Sequence, residues 1–435
     1  MSYIRTILSH PGAQSLWAVT AEEYRKYPGL TSDITADIVI IGGGYTGLST
    51  ALYLARSGAS VCVLEAHQPG WGASGRNGGQ VNPTLKHDPE QLHALLGKKA
   101  EGLIEAVSGS ADVVFGLIDT YNIQCSPVRS GWIQASYTCK GVAHLHQRAE
   151  QWQKLGIPVK ALNTAEIIQK TGTDAFKGGW IDTRAGSVQP YSYALGLARV
   201  ASSKGARIFG DTPVSGLSRS GGRWVARTQS GHTVTARQVV MATNGYTDQL
   251  LPNLAKSILS ANSFIVATAP LGERARDILP LGETLSTAQR LLIYLRKDKN
   301  NRLIIGGRGH FSDPSSAADF AHLERSLAQL YPQLSPFDIE YRWGGRIAIT
   351  QDFLPHVHQP EAGLTVALGY NGRGLAMGTA MGLHLANLLN SGDASAFPFP
   401  ITPVKKIPFH SLQRLYITAG VAWYSALDKI GVPSA

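Results

Sequence analysis

The chain has 435 residues and a formal net charge of +10, with 40 Lys+Arg against 30 Asp+Glu. That length excludes a single small module and leads us to expect two or three domains with large cores; a charged fraction of only 16% beside 43% hydrophobic residues excludes a disordered chain. The basic residues are scattered apart from short clusters such as 297–299 and 405–406, so small acidic molecules or anionic lipid suit the charge better than nucleic acid, which asks for a dense basic stripe.

In chain order, the N-terminal residues lack the unbroken apolar core of an export signal, and Glu22, Glu23, Arg25 and Lys26 soon follow, so a cytoplasmic protein is expected. Residues 37–41 are a short β-branched run, followed by Gly42-Gly43-Gly44-Tyr45-Thr46-Gly47. Leu48, Ala51, Leu52 and Ala55 then repeat at the spacing of a helix lying on a sheet. That helix stops at Gly58, and a second strand at 60–64 ends in Glu65. Residues 70–80 contain five glycines and no period, which suits backbone approach to a large ligand.

Beyond this loop the pattern predicts a helix near 98–120, a strand near 131–137, a helix near 142–155 and a helix over 191–204. Strands follow near 206–209, 223–228, 232–235 and 238–242, the last running into Asn244-Gly245. Further strands are expected near 263–269, 290–296 and 302–306, with a helix near 316–330. Residues 364–368 form an apolar strand, then Gly369-Tyr370-Asn371-Gly372-Arg373-Gly374, then a helix from Leu375 to about Leu389. Residues 415–427 are largely apolar but too short to span a membrane, a length that suits packing on protein or lying on a membrane surface.

Strand, glycine loop and helix thus occur near both ends of the chain, which implies an α/β fold of interleaved domains. We expect a Rossmann-like dinucleotide-binding domain from 31–92, 187–250 and 340–400. A β-sheet substrate cap is expected from 93–186 and 251–339, and a C-terminal helical tail at 401–435. The three cysteines, Cys62, Cys125 and Cys139, form no CxxC pair, and His356 and His358, like His144 and His146, lack a carboxylate at ligand spacing, so no disulfide framework or metal site is expected.

In the first loop, Gly42 allows a tight turn, Gly44 lets amides approach a pyrophosphate at the positive helix end, and Gly47 lets helix and strand pack closely. Glu65 would accept hydrogen bonds from ribose hydroxyls, where an NADP site would carry Arg. This motif alone leaves FAD and NAD open. The other two glycine loops favour FAD, because a tightly held flavin needs contacts from remote parts of the chain. Asn77, Gln80 and the amides of Gly78 and Gly79 are candidates for these. A helix starting after Gly372-Arg373-Gly374 would direct its positive end at an electron-rich edge of the ring.

The sequence resembles the D-amino-acid oxidase superfamily of flavoproteins, and within it the γ-glutamylputrescine oxidoreductase and L-pipecolate oxidase-like branch. The stretches GGGYTGLSTALYLARSG (42–58), VLEA (63–66), GWGASGRNGGQ (70–80), RLIIGG (302–307), YRW (341–343), GYNGRG (369–374), IPF (407–409) and WYSALDKIGV (423–432) carry the likeness. The resemblance implies FAD bound by Gly42, Gly44, Tyr45, Thr46 and Gly47 at the diphosphate and by Glu65 and Ala66 at the adenosine ribose. It implies further contacts from Gly72, Ala73, Ser74, Arg76, Asn77, Gly78, Gly79 and Gln80 along the flavin, from Val214 near the adenine, and from Asn244, Gly372, Arg373, Gly374 and Leu375. Relatives that attach flavin covalently use a His in a Trp-His-Ala-Ala-Gly stretch, or a Cys near the C-terminal loop. Here Trp71-Gly72-Ala73-Ser74-Gly75 stands at the first place and 344–352 contain no Cys, so noncovalent FAD is expected.

The family implies oxidation of an amine or amino acid to an imine, by hydride transfer to the flavin and without a protein nucleophile. Arg346 and Arg373 are the candidate cations near the reacting centre, with Tyr294 and Trp343, and Arg296 beside them, on segments that could line the cap side. Either arginine could instead be paired with Asp352 or Glu340. Less basic residues are expected there in the γ-glutamylputrescine branch, which tilts the reading toward an amino or imino acid such as L-pipecolate. Monomeric sarcosine oxidases carry lysines where this chain has Ala376 and the Leu-Ile-Ile-Gly run at 303–306, so oxygen as acceptor competes with a quinone reached through a tail at the membrane surface. A NAD-dependent dehydrogenase and a flavin scaffold without an amine substrate are the other classes.

Overall fold

In a computed structural model, which describes residues 15–289 and 291–413, the apolar run Ile34–Ile41 lies at the centre of an eight-stranded sheet. It pairs in parallel with Val61–Leu64 and with Thr233–Met241, and Arg207–Phe209 and Leu364–Leu368 extend the parallel run on either side. Val61–Leu64 and Leu364–Leu368 are buried throughout, as strands covered on both faces must be. The two strands expected at 232–235 and 238–242 are one, because exposed Arg237 only continues an alternation in which Val234 and Ala236 face inward.

The helices Tyr45–Arg56, Pro190–Ser203 and Gly374–Ser391 cover this sheet, and their apolar faces share one core with Ile38, Ile40, Val61 and Val63. The first and last approach almost to backbone contact: a Cβ on Gly382 would meet the Ser49 side chain, whose hydroxyl donates to the Thr379 carbonyl at 2.8 Å. The helix expected near 98–120 is two, Lys99–Ser108 and Ser110–Tyr121. Leu103, Val107, Val114 and Leu117 are buried together with Leu48, Leu52 and Met377. Residues 99–121, expected in the cap, thus pack on the helices that cover the dinucleotide sheet.

The second eight-stranded sheet runs in the order Ile339–Ile349, Leu259–Thr268, Leu303–Arg308, Ile293–Lys297, Thr284–Thr287, Trp132–Ser136, Gly178–Asp182 and Val159–Leu162. Ile339–Ile349 pairs along its length with Leu259–Thr268, so the boundary expected at 340 falls after 349. Period-two alternation gives this sheet two different faces. Ile133, Leu285, Leu295, Leu303 and Ile305 enter an apolar layer with Leu323 and Leu327 of the helix Ala321–Leu330. Trp132, Ser286, Tyr294 and Arg296 point the other way, toward the glycine loops. At the far end, Ile401 bridges to Val357 and His410–Leu412 form a single short turn; the apolar stretch expected at 415–427 lies outside the described residues.

Candidate active site

The first glycine loop is shaped by backbone constraints. Gly42 has φ +108° and a Cβ there would lie 2.8 Å from the Ala242 carbonyl oxygen; a Cβ on Gly47 would overlap the carbonyl oxygen of Gly42 itself. The helix that follows has Gly44 at its N-cap and no acidic residue in its first turn, so its positive end is open to an anion. Glu65 closes the other side, its Oε2 accepting the Gly43 amide at 2.7 Å and its Oε1 the His67 amide at 3.0 Å. Burial pushes this carboxyl upward, while the amides of Gly43, His67 and Ala66 work against that rise. Val214 comes two residues after Thr212, whose amide donates to the Glu65 carbonyl at 2.8 Å, and is half-buried.

The three glycine loops converge on the start of that helix. The Tyr45 amide donates to Ser74 Oγ at 3.0 Å, and the Tyr45 hydroxyl to the Ser74 carbonyl at 2.5 Å. The Gly70 amide donates to the Gly43 carbonyl at 2.9 Å. Thr46 Oγ1 and the Tyr370 hydroxyl, at the third loop, lie 2.7 Å apart. Asn244 ties the end of a parallel strand to the same place, its Oδ1 accepting the Gly369 amide at 2.9 Å.

Within the second loop, Ala73–Gly75 form a short turn and Asn77 holds it: Asn77 Nδ2 donates to the Ala73 and Ser74 carbonyls, and its Oδ1 accepts the Gly79 amide at 2.8 Å. Gln80 donates to the carbonyls of Leu285 and Leu295 in the cap sheet at 3.2 and 3.4 Å. These side chains shape the loop and join it to the cap sheet at the place where contacts along the flavin are expected. Arg76 is buried, with its guanidinium 4.4 Å above the Trp71 ring and its Nε donating to the Trp71 carbonyl.

Two residues expected at the reacting centre pack against this loop. The Trp343 indole donates to the Arg76 carbonyl at 2.9 Å and packs edge-on against Trp17. The Tyr294 ring fills the space left by Gly78 and Gly306, its hydroxyl 3.0 Å from Ser263 Oγ. Arg296 also turns inward, donating to the Val188 carbonyl at 2.6 Å. A clamp that no motif announced completes the arrangement. Buried Trp17 donates its indole N–H to the Asn77 carbonyl at 2.8 Å and is held by Gln189. The lone signal for it was a tryptophan in a polar N-terminal stretch.

Arg346 and Arg373 face different neighbours. Arg346 lies 5.9 Å over the Tyr246 ring, which in turn meets Trp71 edge-on. Arg373 is the N-cap of Gly374–Ser391, after exposed Gly372 and before buried Leu375, and its guanidinium lies 4.6 Å over Trp132 on the cap sheet. Glu340 is bound by Arg302 at 2.8 Å and Asp352 by His356 at 2.9 Å, so neither neutralises Arg373, whose Nη1 is buried without a hydrogen-bond partner. Sequence reasoning missed Lys86. Burial, then Arg373 and Arg148, push its amine down to about 8. No group of three metal-ligating side chains occurs among the described residues.

The arrangement fits a dinucleotide with a long second half. Besides the open helix end and Glu65, the buried Nε2 of His67 and Nε1 of Trp71, stacked with ring centroids 4.1 Å apart, have no protein partner. The comparisons agree. The family model "FAD dependent oxidoreductase" (DAO) matches residues 37–388. The chain is 31% identical to γ-glutamylputrescine oxidoreductase of Escherichia coli K12, over 96% of this chain and 99% of that one. Among solved structures, glycine oxidase from Geobacillus kaustophilus aligns with a TM-score of 0.72 at 23% identity, over 86% of this chain and 99% of the other. L-proline dehydrogenase from P. horikoshii aligns with a TM-score of 0.72 at 21% identity, over 84% and 96%. The chain belongs to the DAO family of FAD-dependent oxidoreductases. It is an FAD enzyme that oxidises the C–N bond of an amine or amino acid.

Proposed function

We propose that the substrate is an amino or imino acid, with a cyclic secondary amine such as L-pipecolate as the starting candidate, and that Arg373 binds its carboxylate. The observation that carries this reading is the buried, unpartnered Nη1 of Arg373, held over Trp132 on the cap face. A guanidinium placed there without a counter-ion calls for a carboxylate from outside the chain. Its positive potential also lowers the pKa of a neighbouring ammonium, favouring the free amine that oxidation needs. Bound FAD supplies the hydride acceptor. The cap sheet and the second glycine loop hold the substrate between them and limit access of water, and the imine product hydrolyses after release.

FAD is held without a covalent bond on this reading, so acid precipitation releases the chromophore into the supernatant. Electrons pass to oxygen, giving hydrogen peroxide, or to a quinone. Leu303, Ile304 and Ile305 are wholly buried apolar residues, so positions 303–306, where sarcosine oxidases carry an oxygen-activating lysine, hold no cation, which favours the quinone. Peripheral membrane contact through the tail, at the cytoplasmic face, would bring that acceptor within reach. Among the described residues no helix is long and apolar enough to cross a membrane.

A γ-glutamylated amine is the second reading, favoured by the likeness to the E. coli enzyme. Its carboxylate is remote from the reacting amine, which separates the two readings. Arg373→Met should raise KM for an amino acid by about ten- to a hundredfold, the worth of a hydrogen bond to a charged group, with FAD content unchanged. Arg346→Met is the parallel variant. An unchanged KM in both removes the carboxylate reading.

A further inference from the structure

We propose that Asn82 accepts the N–H of the reacting amine on its side-chain carbonyl oxygen, so that the site takes primary and secondary amines and turns away amines without an N–H. The inference rests on the reading above, in which the substrate lies between the cap sheet and the second glycine loop, and adds Asn82 as a specificity-determining residue.

Asn82 directly follows the short strand Gln80–Val81, where the second glycine loop meets the cap sheet. A line of contacts joins it to Arg373. Asn82 Nδ2 donates to Gln80 Oε1 at 3.3 Å, and Ser286 Oγ donates to the same oxygen at 3.4 Å. The Trp132 indole donates to Ser286 Oγ at 3.0 Å, and the Arg373 guanidinium lies 4.6 Å over the Trp132 ring.

The chemistry of this line fixes the orientation of both amides. Gln80 Nε2 lies 3.2 and 3.4 Å from the carbonyls of Leu285 and Leu295, which can only accept, so Gln80 turns its Oε1 to Asn82 and Ser286. An indole N–H can only donate, so Ser286 receives from Trp132 and gives its own proton to Gln80. Asn82 must therefore present its NH2 group to Gln80, which leaves Oδ1 facing elsewhere. That oxygen belongs to a residue only 8% exposed, and it is buried without a hydrogen-bond partner. A buried acceptor left unpaired is costly, and a ligand that brings a donor removes the cost. The two unpaired atoms of the line suit the two ends of an amino acid: Arg373 Nη1 donates to a carboxylate, and Asn82 Oδ1 accepts from an amine. An amide oxygen takes no proton, so an N–H held there leaves the nitrogen lone pair free to form the C=N bond as hydride departs to FAD.

The test titrates the FAD-loaded enzyme with pyrrole-2-carboxylate and furan-2-carboxylate and follows the flavin visible spectrum. The two ligands differ in one ring atom, N–H against O, and neither has a saturated C–N bond to oxidise. Wild type should bind the pyrrole at least about tenfold more tightly than the furan, because the furan offers no donor and leaves the acceptor unpaired. Asn82→Leu keeps the approximate shape and removes the acceptor. It should bring the ratio to within about twofold of one and leave furan-2-carboxylate affinity within about threefold. A purely structural role would weaken both ligands together and leave their ratio untouched. A wild-type ratio near one, or a ratio unchanged in Asn82→Leu, overturns the proposal. Should Asn82→Leu not fold, Asn82→Ala is read in its place by the same ratio, and the wild-type ratio decides if neither variant holds FAD. Arg373→Gln that leaves both affinities unchanged sinks the underlying carboxylate reading instead, with the pyrrole-to-furan ratio intact.

Discussion

The first glycine loop and the Arg373 guanidinium both offer positive potential to a ligand, and they are built in opposite ways. The loop offers backbone amides and a helix end, and its determinants lie close together in the chain, from Gly42 to Glu65. The Arg373 site offers a side-chain cation laid over Trp132 of the cap, a residue far away in the chain. A site made of backbone must keep its glycines at fixed offsets, because a single Cβ destroys it. A site made of converging side chains needs only the topology that brings them together, and no local spacing records it. The two should also fail separately: loop damage should cost FAD, and loss of the Arg373 guanidinium should cost affinity for a carboxylated ligand.

The largest effect is expected outside both. Trp17 is almost wholly buried, and its indole N–H satisfies the Asn77 carbonyl of the second glycine loop. Trp17→Ala should destabilise the protein by about 3–5 kcal/mol, the range for deleting a large buried aromatic, and should accelerate FAD loss on dilution. Urea unfolding of the holoenzyme and flavin fluorescence check the two parts. Stability lost with FAD retention intact would show that the N-terminal segment packs against the loop without holding its shape. Next comes Gly47→Ala, where the new methyl group overlaps the Gly42 carbonyl oxygen. Helix propensity favours alanine, but the Gly42 carbonyl on one side and the Ile40 side chain on the other leave the methyl group nowhere to go. A net loss of about 1–3 kcal/mol and little bound FAD are expected, read from the ratio of visible to ultraviolet absorbance. A yellow, stable Gly47→Ala protein would break the comparison at its stronger end.

The same contrast explains what could be read in the sequence. The strand–glycine–helix unit at 37–56, Glu65 and the strand at 364–368 were legible because apolar runs, helical spacing and turn glycines are local signals. The strands Gly178–Asp182 and Val159–Leu162 were not, since glycines in the first and the four-residue length of the second hide any alternation. The boundary at 340 failed because Ile339–Ile349 takes its place in the cap through pairing with Leu259–Thr268, a long-range fact. In the site, Arg373 was found beside its glycines, but Trp17 carries no neighbouring motif, and only its long-range hydrogen bond to the Asn77 carbonyl singles it out.

Tyr294 gives the smallest and most discriminating prediction. Its place on a cap strand made it a candidate for the reacting centre, yet its ring is wedged between Gly78 and Gly306, with its hydroxyl at Ser263 Oγ. Burial pushes the phenol up to about 12, so it is neutral through the working pH range and cannot serve as a base. Tyr294→Phe keeps the ring and removes one hydrogen bond, a loss of about 0.5–1.5 kcal/mol. Thermal stability should fall slightly while kcat, KM and FAD affinity stay within about twofold. Tyr294→Ala, by contrast, leaves a void under Gly78, so FAD should bind more weakly, and a smaller side chain cannot restore the wedge. A drop of about a hundredfold in kcat for Tyr294→Phe would return the hydroxyl to the reacting centre, a loss too large for one structural hydrogen bond.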